Sequence, residues 1–176
     1  MSCELHICAA CAQEDKTCCQ TCEVYATPAD VQRIAQYTGE ADFTEFVVPG
    51  APVYYQFADD PIWKEAVFCD DGSRRILKRK ENGDCRYLGS HGCQLPTEVR
   101  PLVCRLYPFD FNEQGIYDKL AKGCPTHLLR SGQTLLQALD MNREKAECWH
   151  AQLYREVRQE PAYLAKQATH PETVGS

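Results

Sequence analysis

The sequence predicts a small α+β fold, and three observations predict it. Short segments with strand character lie between glycine and proline turns in the middle of the chain. An amphipathic segment that begins at a proline precedes them, and a longer amphipathic segment follows them. The chain has 176 residues, of which 44% are hydrophobic, which suits one domain or one domain with an appendage. We therefore expect a short antiparallel sheet, an N-terminal helix and a long C-terminal helix packed across it.

The first predicted helix begins after residues 1–27, which show little periodicity. Thr27 can cap its N-terminus, and Pro28 then occupies its first position. The helix is expected to stop at Gly39, because glycine readily adopts the backbone conformation that follows a helix end. One face of this helix carries Val31, Ile34 and Ala35.

The next two segments are predicted to be a short helical turn at residues 42–46 and an irregular connection at residues 47–72. Pro49, Gly50 and Pro52 interrupt the connection. Its aromatic anchors are Tyr54, Tyr55, Phe57, Trp63 and Phe68.

Residues 74–88 predict a β-hairpin, because the favoured turn dipeptide Asn82-Gly83 separates two segments with strand character. Another strand is predicted at residues 105–111, and its return starts at Gly115. Prolines exclude long helices from this region. They are Pro96, Pro101, Pro108 and Pro125.

The last predicted element is one long amphipathic helix over residues 132–158, and the chain after Pro161 is expected to be a frayed tail. The buried stripe of the helix is predicted to consist of Leu135, Leu139, Ala146, Trp149, Leu153 and Val157.

Cysteine is the residue type that carries the chemistry of this chain. It occurs twelve times, and five of these residues lie between Cys8 and Cys22. Two thiolates separated by two residues, as at Cys8 and Cys11 or at Cys19 and Cys22, can converge on one soft metal ion. The predicted metal ligands are Cys8, Cys11, Cys18, Cys19, Cys22, Cys85, Cys93, Cys104 and Cys124.

Disulfide bonding is the competing interpretation of so many cysteines. The N-terminus lacks the basic and apolar regions of a signal peptide, and no apolar stretch approaches the ~20 residues that cross a bilayer. We therefore expect a reducing cytoplasm, where dense cysteine usage indicates metal or redox chemistry.

The charge of the chain argues against two classes of partner. Its formal net charge is −6 and its isoelectric point is near 5.4, so neither nucleic acid nor an anionic membrane surface is expected to bind it. The basic segment at residues 74–80 is interpreted as a solvated strand. An unidentified protein partner stays open.

The adjacent residues Cys18 and Cys19 point in different directions if the chain is extended there. They are then expected to serve two different metals, or one ligates while the other packs. Cys3, Cys69 and Cys148 are interpreted as buried small hydrophobic residues instead of ligands.

The number of thiols fits either zinc or iron. Eight cysteines fill two tetrahedral zinc sites, and they equally fit iron–sulfur clusters with four thiolates each. No histidine has a paired ligand spacing, so the donor set favours an iron–sulfur cluster or iron over zinc. Arg100 and Arg105 flank Cys104 and are predicted to offset the charge of such a centre or to bind an anion; alternatively they pair with acidic residues and hold the fold.

The chain resembles the YkgJ family of cysteine-cluster proteins, described as a zinc- or iron-chelating domain with a CxxCxxCC signature. The resemblance spans roughly residues 8–125 and is most specific at residues 100–109, Arg-Pro-Leu-Val-Cys-Arg-Leu-Tyr-Pro-Phe. Here six residues instead of two precede the Cys18-Cys19 pair, so Cys22 is an alternative ligand to Cys8 or Cys11. Some relatives are described as protein lysine methylases that act on flagellin, but no glycine-rich S-adenosylmethionine motif is evident in this chain.

The resemblance implies a metal domain without specifying a reaction. Residues 1–130 are predicted to form the cysteine-cluster domain, residues 131–160 the helix packed on it and residues 161–176 the tail. Three functions stay open: a redox or accessory metal protein, a metal-dependent enzyme related to protein lysine methylation, and a structural zinc module that binds a partner. No catalytic triad, phosphate loop or metalloprotease helix supports a hydrolase or nucleotidase.

Overall fold

The computed structural model describes residues 7–14, 18–56 and 59–169, and this part of the chain has the predicted α+β class. Cys3, Phe57 and the end of the predicted tail, residues 170–176, lie outside the described residues. The helices are α1 (Ile7–Ala12), α2 (Cys18–Thr21), α3 (Pro28–Thr38), α4 (Pro61–Val67), α5 (Leu102–Leu106), α6 (Leu135–Ala138), α7 (Arg143–Val157) and α8 (Pro161–Thr169). The strands are β1 (Thr44–Val47), β2 (Arg74–Leu77), β3 (Leu88–Gly89), β4 (Gly92–Cys93), β5 (Phe109–Asn112) and β6 (Gly115–Leu120). Short 3₁₀ helices lie at Pro52–Tyr55 and Thr126–Leu128.

The strands form three antiparallel pairs, β1–β2, β3–β4 and β5–β6. In the first pair Glu45 lies opposite Ile76, and Tyr25 bridges Ile76 from the other side. In the second pair Leu88 lies opposite Cys93. The short antiparallel sheet predicted from the sequence is thus distributed over three small units.

The ends of α3 lie where the sequence predicts them. The Thr27 hydroxyl accepts a hydrogen bond from the Asp30 backbone N–H at 2.9 Å, and the Asp30 carboxylate accepts one from the Thr27 N–H at 3.0 Å. Gly39 ends the helix in the left-handed conformation at φ 73°. This reciprocal capping satisfies backbone donors that a helix start otherwise leaves unpaired.

The prediction for residues 42–88 is wrong in two places and confirmed in part in a third. Residues 44–47 form β1 instead of a helical turn, because they pair with β2. Residues 61–67 form α4 inside the segment predicted to be irregular, where the Asp60 carboxylate caps the helix by accepting from the Trp63 N–H at 2.9 Å. The turn at Gly83 exists, with φ 88°, but the two sides of the predicted hairpin meet only at the bridge between Arg79 and Cys85.

The region that follows contains a short helix that the sequence prediction missed. Residues 102–106 form α5, so the predicted strand at residues 105–111 begins only at Phe109. The Asp30 carboxylate accepts a hydrogen bond from the Leu102 N–H at 3.2 Å, which holds the start of α5 against α3. The predicted return at Gly115 is confirmed as β6.

The C-terminal segment is divided where one helix was predicted. Asp140, at φ 50°, separates α6 from α7, and the Asn142 side chain caps α7 by accepting from the Lys145 N–H at 2.8 Å. The tail prediction is wrong for residues 161–169, which form α8 and pack on α4. The Lys166 ammonium anchors α8 by donating to the Glu65 carbonyl at 2.9 Å.

Two hydrophobic clusters fill the interior. The larger cluster lies around Trp63, Leu106 and Leu153, where α5 packs on α7. The second cluster surrounds Ile34 and Phe43 and includes side chains of the cysteine-bearing segments. No helix in the described ranges is long and apolar enough to cross a membrane.

Candidate metal centre

The fold brings cysteines from distant parts of the chain to one side of the second hydrophobic cluster. The N-terminal cysteines lie on α1 and α2, whereas the later ones lie on β4, on α5 and in turns. The described cysteines form no disulfide bond with one another. Contacts and mutual effects on pKa place eight of them in two adjoining groups of four, which meet at Cys18, Cys19 and Cys104.

The inner thiol group consists of Cys19, Cys85, Cys93 and Cys104. The Cys85 N–H donates to the Cys19 carbonyl at 2.7 Å. Cys19, Cys85 and Cys93 all belong to the second hydrophobic cluster. Burial raises the pKa of Cys104 well above its ordinary value, and the nearby thiols of Cys85 and Cys93 raise it further. Three of the four side chains therefore share one apolar cluster, and the fourth, Cys104, lies near two of them.

The outer thiol group consists of Cys8, Cys11, Cys18 and Cys124. Burial raises the pKa of Cys8 to about 12, and the other three thiols of the group add to this increase. Burial also raises the pKa of Cys11, again with contributions from Cys18 and Cys124. Cys11 and Cys124 line the same cleft. Cys18 is exposed, whereas the other three are partly buried.

Cys18 and Cys19 connect the two groups, and the helical backbone of α2 corrects the extended geometry expected there. Consecutive side chains on an α-helix diverge by about 100°. A side-chain hydrogen bond links the two thiols, which lowers the pKa of Cys18 and raises that of Cys19. Cys18 also raises the pKa of Cys104, so the two groups adjoin at this pair.

Basic side chains lie beside both groups. Arg100 lowers the pKa of Cys8, whereas Arg79 and Lys80 lower the pKa of Cys85. In both thiols burial is the larger effect and raises the pKa. Buried thiols of this kind ionise readily only when a cation, such as a bound metal, compensates the thiolate charge.

Arg105 makes contacts of a structural kind. It is 5% exposed, and its guanidinium donates to the backbone carbonyls of Arg100 at 2.8 Å and Glu98 at 2.7 Å. Arg100 itself donates to the Leu95 carbonyl at 2.8 Å. The two arginines therefore stabilise the loop before α5, and Arg100 additionally lies close to the outer thiol group.

Tyr107 is a site residue that the sequence analysis missed. Its side chain hydrogen-bonds Cys124 and lowers the pKa of that thiol, against the larger effect of burial, which raises it. A Cβ atom at position 123 would overlap the Tyr107 hydroxyl, so Gly123 leaves the space that this hydroxyl occupies. The sequence could have indicated Tyr107, because it follows Cys104 within the most specific motif and because Gly123 precedes Cys124.

Three further described cysteines are not assigned to either group, although Cys22, like Cys18 and Cys124, raises the pKa of Tyr107, for which burial is the largest cause. Cys22 is exposed, directly after α2, and its N–H donates to the Cys18 carbonyl at 2.8 Å. Cys69 is partly buried against α8. Cys148 is exposed on α7, which corrects its interpretation as a buried residue.

The donor set fits a thiolate-bound metal, although the described sulfur atoms of each group do not lie close enough together to coordinate one ion. No three Cys, His, Asp or Glu side chains in the described ranges are arranged so that they could hold an ion without movement. Two sets of four thiols nevertheless match the ligand number and type that zinc or an iron–sulfur cluster requires. Binding would then draw each group together, as in metal sites that are completed by the metal itself.

Comparison with known proteins agrees with this chemistry. The family model CxxCxxCC, described as "Putative zinc- or iron-chelating domain", matches residues 7–125. That range contains all eight cysteines of the two thiol groups, Tyr107 and both arginines. No curated protein and no solved structure matches the chain.

Proposed function

The chain belongs to the CxxCxxCC family of zinc- or iron-chelating domains, and we propose that it holds two metal centres, one in each thiol group. The observation that carries this proposal is the division of eight thiols into two groups of four. Four thiolates complete a tetrahedral zinc site or hold one iron–sulfur cluster. Cys22, the ninth candidate, is not needed for either centre.

The position of Cys18 and Cys19 supports two centres instead of one. Cys18 raises the pKa values of Cys8 and Cys11, whereas Cys85 and Cys104 raise that of Cys19, so each member of the pair has its own neighbouring thiols. With one cysteine directed to each group, both centres are complete with four ligands. The nearby Arg79, Lys80 and Arg100 offset part of the negative charge of eight thiolates.

We favour iron–sulfur or iron over zinc for these centres, with a redox or accessory role. The ligand set contains no histidine, and Tyr107 hydrogen-bonds the sulfur of Cys124. Hydrogen bonds to sulfur are one of the means by which a protein sets the reduction potential of such a centre. The thiols have to stay reduced before the metal binds, which agrees with a cytoplasmic location.

The test is the metal content of protein purified without oxygen, with iron, zinc and acid-labile sulfide measured on the same sample. Visible absorption that bleaches reversibly with dithionite, with iron and sulfide in stoichiometric amounts, would support the redox proposal. A colourless protein with two zinc ions would instead support a structural zinc module.

Variants test the assignment of ligands. We expect Cys104→Ser to lose the inner centre and Cys124→Ser to lose the outer centre, each leaving the other one in place. Cys148→Ser is the matched control, because its thiol is exposed on α7 far along the chain from both groups. Wild-type metal content in both ligand variants would contradict the proposal.

A further inference from the structure

The outer thiol group borders a large cleft that the proposed centres do not fill. The cleft has a volume of about 1160 Å³, and Cys11 and Cys124 form part of its wall. Glu14, Lys122 and His127 also line it. The side chains of His127 and Glu14 are 66% and 43% exposed, so the cleft opens to solvent at this pair.

Two further donor residues accompany the thiols in this cleft at a regular spacing. Glu14 follows Cys11 by three residues, and His127 follows Cys124 by three residues. His127 Nε2 lies 2.8 Å from Glu14 Oε2, so the two segments that supply Cys11 and Cys124 also meet through this pair. Imidazole and carboxylate are both ligands of zinc and of iron. His127 is not among the ligands predicted from the sequence.

The inner thiol group has no comparable access in the described part of the chain. None of its four cysteines lines the cleft. Cys85 is buried and no member is exposed, whereas the outer group has no buried member and Cys18 is exposed. The two groups therefore differ in how readily a solute can reach their sulfur atoms.

We propose that the cleft is a metal-exchange path to the outer thiol group, with Glu14 and His127 as transfer ligands. This inference rests on the proposed function. An incoming divalent ion, carrying water ligands, would bind His127 Nε2 and Glu14 Oε2; the proton between these two atoms would pass to solvent, and the ring would keep one proton on Nδ1. As each metal–sulfur bond then formed, a thiol proton would pass to solvent and a bond to His127, to Glu14 or to water would break. No electron is transferred.

The difference in metal affinity between the two sets of ligands determines the direction of this exchange. Thiolates bind zinc and ferrous iron more strongly than one imidazole and one carboxylate do together. The Glu14–His127 pair, which is exposed and has only two donors, therefore holds an ion briefly and passes it to the four thiols. In the reverse direction, an external chelator reaches an ion of the outer group through the same opening.

The test measures the release of metal from the loaded full-length protein to the chromogenic chelator pyridylazoresorcinol, which binds Zn²⁺ and Fe²⁺. We expect two phases of similar amplitude, of which only the fast phase is lost in Cys124→Ser. His127→Gln should slow the fast phase about tenfold, the range in which secondary ligands contribute to metal sites, and Glu14→Gln should slow it as well. His91→Gln is the matched control, because it removes an exposed histidine two residues from Cys93 and outside the cleft.

The outcomes separate this inference from the proposed function. A wild-type protein that binds fewer than two centres contradicts the proposed function. If the protein binds two centres but the fast phase is unchanged in His127→Gln and Glu14→Gln, the exchange path is wrong. That result would not contradict the two proposed centres. Loss of the outer metal from His127→Gln at equilibrium would also overturn it, because His127 would then be a permanent ligand.

Discussion

Removal of the Asp30 carboxylate should destabilise the protein strongly, because that group joins two helices and is completely buried. Asp30 is 0% exposed. Its oxygens accept hydrogen bonds from the Thr27 N–H at 3.0 Å, from the Leu102 N–H at 3.2 Å and from Arg33 Nη2 at 2.5 Å. It therefore caps α3, holds the start of α5 and pairs with a cation.

The expected size of the effect follows from these partners. Asp30→Ala leaves two buried backbone N–H groups unpaired, at about 1–3 kcal/mol each, so the free energy of unfolding should fall by about 4 kcal/mol. Arg33 still pairs with Glu156, at 2.7 Å, in the alanine variant. The loss of its contact with Asp30 therefore costs less than the two unpaired backbone donors. Burial raises the pKa of Asp30, whereas its hydrogen bonds from Thr27 and Arg33 lower it. The penalty of the substitution comes from the donors left without an acceptor.

Urea denaturation of the metal-loaded protein measures this difference. Trp63 is buried in the larger cluster, so its fluorescence and the far-ultraviolet circular dichroism should report the same transition. Asp30→Asn retains one acceptor oxygen and should lose about half as much as Asp30→Ala, which keeps the comparison measurable if the alanine variant does not fold. The control Asp42→Ala removes an exposed carboxylate paired with Lys78 and should have no measurable effect.

The reasoning would be refuted by an Asp30→Ala variant whose stability lies within about 1 kcal/mol of wild type, since even one unpaired buried donor costs that much. Loss of the inner centre should accompany the destabilisation, because α5 carries Cys104. A destabilised variant that keeps Cys104 in a complete centre would show that the start of α5 is held by other contacts.

Three further predictions concern the thiol groups. Gly92→Ala should lower the free energy of unfolding by about 1–3 kcal/mol in urea denaturation, since Gly92 has φ 93° and its Cβ would lie 3.3 Å from the Ala9 backbone nitrogen; an unchanged midpoint would show that α1 adjusts freely. Tyr107→Phe should weaken metal affinity of the outer group about tenfold in a chelator competition without affecting the inner group, and equal affinities would remove Tyr107 from the site. Cys22→Ser should leave the metal content unchanged, so that loss of one centre would identify Cys22 as a ligand.

The parts of the fold that the sequence predicts depend on residues close together in the chain. Thr27, Pro28 and Gly39 define both ends of α3 through capping contacts within four residues. The return at Gly115 is equally local, because it joins two consecutive strands. The spacing of the cysteines predicts the pairs Cys8 with Cys11 and Cys19 with Cys22, and it does not divide them into the two groups described above.

The parts that the sequence does not predict depend on distant partners. Residues 44–47 are a strand only because residues 74–77 lie beside them, and α5 begins where the Asp30 carboxylate reaches the Leu102 N–H, 72 residues away. The C-terminal segment has continuous helical periodicity, yet Asn142 caps a new helix within it. Tertiary contacts of this kind override local patterns.

The Cys18-Cys19 dipeptide explains how two similar thiol groups can have different properties. If each group holds a metal as proposed, Cys18 and Cys19 would attach both centres to the same helix, α2. Three members of the inner group, Cys19, Cys85 and Cys93, pack in the second cluster, whereas the outer group borders an open cleft. An ion in the inner group would stabilise the fold, because it joins α2, β4 and α5 across the chain. An ion in the outer group could then exchange without unfolding the protein, since the inner group would hold α2 in place.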